Sequence, residues 1–391
     1  MQNRKEIYPY LVLIACAGLI ATTFGLVNIQ GLFFDSISND LGIGKASTAF
    51  FVTLIHISGA IFAPAGVKLR DKFSIRQILL VDGLAVTLSL MLIPSCNAIW
   101  QIYVLAFIIG TGQGIYGHTM VVELINRWFK RAGTAVGVAM CASGIYGSVF
   151  SPIIVNSIVK YGWRKAYYIF AMSLAVVLIY SFIVIKDKPG DVIKKAKNNE
   201  KVNTICIETF YVATFYLFTS SMASFGSYML GFATDIGLSM NQGAGLSSAI
   251  NMGNLLLKLL FGFLCDEIGG YRTSLLAFGM ITLGSAILIF VPAQMYTVLA
   301  LGSFLLGATF AGSNVLTSSI CRNMFGKEKV SYYYATITSL SVISAFSSTV
   351  IGGVYDISGS YKYSILGFEI LIGIALVLVK KAFKRKKRHA S

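Results

Sequence analysis

The chain has 391 residues, of which 56% are hydrophobic and 12% charged, and its mean hydropathy is +0.74. Soluble domains carry about a quarter charged residues, so this composition excludes a water-soluble globular fold. The net charge of +16 suits either a nucleic-acid or a membrane-surface partner, and the placement of the basic residues decides between them.

Apolar runs of about 20 residues, the length that crosses a hydrocarbon core, recur along the whole chain. Read in order they predict twelve spans: Tyr8–Phe34, Ala46–Val67, Gln77–Pro94, Trp100–Ile125, Thr134–Val159, Ala166–Ile185, Ile205–Leu230, Gln242–Leu264, Ser274–Val291, Tyr296–Ile320, Val330–Val354 and Tyr363–Val379. The first is longer than a signal core and no small-residue cleavage site follows it, so it counts as a span.

The basic residues alternate with these spans. With the amino terminus placed in the cytoplasm, 26 of the 32 Lys and Arg fall on cytoplasmic segments, five fall outside, and Lys258 alone lies within a span. This positive-inside asymmetry predicts that both termini are cytoplasmic. The basic tail, residues 381–391, then belongs against anionic lipid headgroups rather than nucleic acid. Six scattered cysteines, without paired spacing or nearby histidines, give neither a disulfide framework nor a zinc site.

The one long polar stretch, residues 186–203, reads as a cytoplasmic linker between residues 1–185 and 204–380, each a bundle of six helices. The two halves repeat. Val67-Lys-Leu-Arg-Asp71-Lys-Phe-Ser74-Ile-Arg76 follows the second span, and Gly262-Phe-Leu-Cys-Asp266-Glu-Ile-Gly269-Gly-Tyr-Arg272 follows the eighth. Arg127-Trp-Phe129-Lys and Arg322-Asn-Met-Phe325-Gly-Lys follow the fourth and tenth. Duplicated bundles that rock about a midplane site are the physical scheme of a secondary transporter.

The loop after the eighth span resembles the Gly-x-x-x-Asp-x-x-Gly loop of the major facilitator superfamily, and Val67 and Ser74 replace the two glycines in the first copy. The resemblance implies the all-α major facilitator fold of twelve transmembrane helices, with Asp71, Arg76, Gly262, Asp266, Gly269, Arg272 and Arg127 in its conformational loops. A glycine at position 262 would let helices approach closely. Gly31-Leu-Phe-Phe34, Asp40-Leu-Gly42, Arg127-Trp-Phe129, Gly133-Thr-Ala135-Val-Gly137 and Tyr161-Gly-Trp163-Arg164 resemble the monocarboxylate and oxalate/formate branch. That likeness covers most of residues 25 to 170, with Ala132 as an insertion between an arginine and a glycine that usually adjoin.

Lys258 is the most informative residue, because a charge near the membrane interior costs about 2.5–3.5 kcal/mol or more and marks a pathway or site. Ser247, Asn251, Asn254 and Lys258 share one helix face. At about 1.5 Å per residue, Lys258 lies roughly 12 Å and Asn254 roughly 18 Å before the Asp266 loop. His118 and Asn314 fall at the same depth by the same count. The branch places a carboxylate-receiving basic residue on the eighth helix with a polar or acidic residue one turn earlier, and Lys258 and Asn254 match that pair. Lys258 is thus expected to hold the charge of an organic anion, Asn251 and Asn254 to line its site, and His118 or Tyr116 to meet its other end, with Asn314 in the same layer. Snorkelling of Lys258 to the surface is the structural alternative.

A histidine can also exchange protons, so His118, with His56 behind it, is an expected proton carrier. Glu123 and Glu208 are expected to pair with cytoplasmic cations, and Glu369 is unexplained. The eleventh span lacks the second cation of the oxalate-type relatives, which favours a monoanion. The glycines from Gly110 to Gly117 lack a following Gly-Lys-Ser/Thr and belong to helix packing rather than to a phosphate loop.

Three function classes follow: an anion transporter of the plasma membrane, working by proton symport or anion exchange; a facilitator of another solute such as a drug or sugar; and a non-transporting receptor or scaffold. No cofactor, metal or catalytic constellation is expected, and the chain is expected to act as a monomer.

Overall fold

The computed structural model describes residues 2–70, 72–129, 132–185, 207–326 and 330–390, and its contacts divide the chain into two units, Met1–Lys197 and Asn198–Ser391. Among the described residues all regular structure is helical, as a chain buried in hydrocarbon requires: only a helix pairs its backbone groups within one segment.

Among the described residues, unit 1 contains six helices long and apolar enough to cross a membrane: α1 (Tyr8–Leu41), α2 (Lys45–Gly66), α3 (Ile75–Ser95), α4 (Ile99–Ile125), α5 (Gly137–Tyr161) and α6 (Trp163–Val184). The described residues of unit 2 contain five more: α8 (Met240–Ile268), α9 (Gly270–Phe290), α10 (Tyr296–Phe325), α11 (Thr336–Ser358) and α12 (Lys362–Arg385). The remaining predicted span is α7 (Ile207–Ala223), which continues through a 3-10 turn, Ser224–Tyr228, into Met229–Asp235. Its Thr, Ser and Tyr content makes it less apolar than the others, and most of these side chains are buried.

Helix starts and approaches follow from particular residues. Ser74 and Gln77 form a reciprocal cap at the start of α3, and Ser239 and Gln242 do so at α8. Each pair satisfies two of the orphan donors of a helix start. At the corresponding place in the second loop, Gly269 has a positive φ of 84° and no side-chain cap. In unit 1, α2 and α4 pack through the glycine run: a Cβ on Gly110 would stand 2.3 Å from the Ile55 carbonyl oxygen and one on Gly114 2.4 Å from that of Gly59.

Several spans are not continuous α-helix. α1 has a π turn at Ala21–Gly25, α4 breaks at Tyr116 and Gly117, and α10 has a π turn at Gly312–Leu316. α11 is interrupted near Leu340 and Phe346. The final helix runs from Lys362 to Ala390, so the basic tail continues α12 as helix rather than forming a separate element. It is tied to α7 where Arg385 Nε stands 3.3 Å from Glu208 Oε1.

Candidate functional site

In unit 2 the predicted polar stripe of α8 faces the interior of the bundle. Ser247, Asn251 and Asn254 are 1–2% exposed, while Leu256, Leu259 and Leu260 on other faces are exposed. The Asn251 Nδ2 donates to the Ser247 carbonyl at 2.8 Å, leaving Asn251 Oδ1 without a partner. Asn254 is buried with neither its amide nitrogen nor its amide oxygen hydrogen-bonded. An unpaired buried amide costs about 1–3 kcal/mol, and at Asn254 both polar atoms are left unpaired.

Two glycines put Asn254 there. A Cβ on Gly253 would stand 2.0 Å from the Phe304 carbonyl oxygen, and one on Gly307 would stand 2.6 Å from the Asn254 backbone nitrogen. α8 and α10 therefore meet backbone to backbone at this level. One turn further along α8, half-buried Lys258 places its ammonium nitrogen 5.8 Å from the centroid of the Phe310 ring, a cation–π distance. Phe310 also faces the 3-10 turn of α7, 3.5 Å from where Gly226 would carry a Cβ. The charge, the unpaired amide and two irregular backbone segments thus converge, and in transporters irregular backbone is tolerated where it lines a site.

Asn314 lies one turn past Phe310, exposed, and its Nδ2 donates to the Phe310 carbonyl at 2.9 Å and to Ser313 Oγ at 3.2 Å. Unlike Asn254, it has its amide donors engaged by its own helix.

In unit 1 the Tyr116 ring is fully buried and folds back over Gly112. Its unpartnered hydroxyl and the unpartnered Gln113 Nε2 both belong to residues lining a cavity of about 10 Å³ shared with Thr22, Thr23 and Ile55. That volume holds about one water molecule, so it has no room for an organic acid. Gln113 Oε1 lies 3.1 Å from His56 Nδ1. His118 opens the helical segment after the Gly117 break, and its side chain lies outside the described residues.

The loop residues divide similarly. Asp71 and the side chain of Arg127 lie outside the described residues. Arg76 donates from Nε to the Ile185 carbonyl at 2.7 Å and from its guanidinium to that of Ile183 at 3.3 Å, capping the last turn of α6. Arg76→Ala is accordingly expected to lower the thermal unfolding temperature of the detergent-purified protein, whereas Arg272→Ala, at an exposed site, leaves it unchanged. Asp266 Oδ1 lies 3.8 Å from Arg322 Nη1, both exposed. Such surface pairs contribute about 0–1 kcal/mol. Arg272 lines a groove of about 340 Å³ with Asn323, Lys380 and Lys384.

The expectation for Gly262 is corrected: a Cβ there would meet only Val315, at 4.0 Å. The close approach of α8 is made by Gly253 instead, because the face of Gly253 meets the α10 backbone.

Two membrane-embedded carboxylates gain surroundings that sequence reading did not supply. Glu369 accepts from Thr282, and from Ser285 at 3.0 Å, which joins α9 to α12. Asp82 in α3 was not singled out at all, although an acidic residue within a predicted span is the same signal that picks out Lys258. Its Oδ1 lies 2.6 Å from Thr111 Oγ1 on α4.

Comparison with known proteins agrees with this architecture. Monocarboxylate transporter 4 of Rattus norvegicus is 22% identical over 401 residues, 97% of this chain and 85% of that protein. The Oxalate:formate antiporter of Oxalobacter formigenes is 23% identical over 349 residues, 85% of this chain and 82% of that protein. The crystal structure of a point mutant of nucleoside transporter NupG superposes with a TM-score of 0.76 at 12% identity, covering 95% of this chain and 100% of that one; at that identity the likeness is one of fold. With the Major Facilitator Superfamily model matching residues 13–253 and 209–391, the chain belongs to that superfamily of multi-pass membrane transporters.

Proposed function

We propose that this transporter moves a small organic anion, a monocarboxylate, across the cell membrane by alternating access, with both termini cytoplasmic and by proton symport or anion exchange. The observation that carries the reading is Asn254: a buried amide with both polar atoms unpaired, one helical turn from Lys258. A carboxylate is the ligand that suits both groups, since it accepts a hydrogen bond from Asn254 Nδ2 and pairs with an ammonium. The relatives named for monocarboxylate and for oxalate and formate support the same substrate class. α11 carries no Lys or Arg, which supports a single negative charge on the cargo.

The test is uptake of labelled lactate, pyruvate, acetate, formate and oxalate into proteoliposomes, with and without an inward proton gradient. Saturable uptake of a monoanion, faster than that of oxalate, is expected. Asn254→Ala is expected to lower kcat/KM by about tenfold or more, the loss of one hydrogen bond to a charged group. Its unfolding temperature should not fall, because no bond within the protein is lost. A variant that is less stable but fully active would reject the assignment. The three unpaired amide atoms of Asn251 and Asn254 also suit a neutral hydroxylated solute, and uptake of a sugar with no uptake of any acid would establish that second reading.

A further inference from the structure

Asp82 stands in the interior of α3 with one oxygen on Thr111 and the other, Oδ2, buried without a partner. The Thr111 hydroxyl lies 2.6 Å from Asp82 Oδ1 and also 2.6 Å from the carbonyl oxygen of Ile108, three residues earlier in its own helix. A hydroxyl has one hydrogen to donate. If Thr111 gives it to Asp82, two bare acceptors face each other at the Ile108 contact. If it gives it to Ile108, as helical Thr and Ser commonly bond back to a preceding carbonyl, then Asp82 must supply the hydrogen of the other contact.

A proton on Oδ1 satisfies both contacts. It also leaves Oδ2 as an uncharged carbonyl oxygen, whose burial costs far less than that of half an ionised carboxylate.

We infer that Asp82 is a proton-binding site and the group through which a proton accompanies the anion. This rests on the anion reading above and commits it to symport rather than exchange. Loading forms one O–H bond on the carboxylate, with the proton taken from water on one side of the membrane. Release breaks that bond and returns the proton to water on the other side, so proton and monoanion cross as a neutral pair.

The neighbours are consistent with that role. At the break in α4, the Tyr116 side chain is fully buried and its hydroxyl has no partner. It shares the water-sized cavity with Gln113, which contacts His56 of α2. On the other side, α6 meets α3 with Leu178 against Gly83 and carries no acidic or basic residue from Ala166 to Val184. On α3 itself, Arg76 is held by carbonyls at the end of α6. Among the described residues no cation is within salt-bridge distance of Asp82 to hold it ionised.

Two measurements decide. Infrared difference spectroscopy of the full chain in liposomes, titrated with pH and needing no substrate, should show a protonated carboxyl band at neutral pH that Asp82→Asn deletes. Absence of that band overturns the site. In proteoliposomes, Asp82→Asn should lose accumulation of the labelled acids under an inward proton gradient, falling to the equilibrium distribution. It should still exchange external labelled acid for internal unlabelled acid. Accumulation like that of the wild type, or loss of exchange as well, overturns the coupling role, the latter marking a structural one.

Thr111→Val gives a sign test that survives if Asp82→Asn fails to fold. Removing the acceptor of a protonated acid shifts the titration of the carboxyl band to more acid pH, by roughly half to one pH unit. A shift in the alkaline direction means that Thr111 had been donating to a carboxylate, and overturns the inference. If the wild type moves none of the acids, the anion reading fails, and the infrared titration alone decides whether Asp82 binds a proton.

Discussion

Lys258→Gln is expected to abolish uptake of every acid the wild type transports while leaving the protein folded and inserted. The charge lies one turn from an unpaired buried amide and against an aromatic ring, so a bound carboxylate would lose its counter-charge in a desolvated place. Removing one member of such a pair costs about 2–5 kcal/mol, roughly a 30- to 4,000-fold loss in kcat/KM. Lys258→Arg keeps the charge on a planar, forked group that differs from a compact ammonium, and an intermediate loss is expected. Proteoliposome uptake, normalised to the protein recovered as a single species by gel filtration, measures both variants. Transport by Lys258→Gln at the wild-type rate would remove Lys258 from the site and return it to the snorkelling alternative.

Gly253→Ala is the second variant with a large expected effect, here on stability. Its Cβ would lie 2.0 Å from the Phe304 carbonyl oxygen, a backbone atom that cannot turn aside. α8 and α10 must separate, at a cost of about 1–3 kcal/mol or more for overpacking. The same shift displaces Asn254, so activity falls with stability. Gly262→Ala is the control within the same helix. Nothing crowds its Cβ, and alanine gains up to about 1 kcal/mol over glycine in a helix interior, so the unfolding temperature should hold or rise. Thermal unfolding in detergent compares the two. The reverse order would mean that the loop glycine, and not Gly253, sets the approach of the helices.

Much of this was legible in the chain itself. Twelve spans, the duplicated loops and the isolated Lys258 could be read because hydropathy and charge are properties of short segments. The breaks within α4 and α11 were not legible. Tyr116-Gly117 and Ser339-Leu340 lie inside apolar runs, where hydropathy alone marks no break. Glu369 was visible as an acidic residue in a span, but its role awaited Thr282 and Ser285, 87 and 84 positions away.

The two candidate sites show the division most clearly. Sequence placed Asn254 and Lys258 on one face, since helical periodicity is fixed by the backbone. It could not show that Asn254 has no partner, that Asn314 has its amide donors engaged by its own helix, or that the Tyr116 hydroxyl opens only onto room for one water. Nor could it place Thr111 between Asp82 and Ile108. The sequence by itself determined that this is a multi-span membrane protein with one basic residue inside a predicted span, because the free energies of moving apolar and charged groups out of water add along the chain. Which polar atoms are left unpaired, and so are available to an anion or a proton, was decided only by the tertiary structure, because a hydrogen bond depends on neighbours that folding alone brings within 3 Å or so of one another.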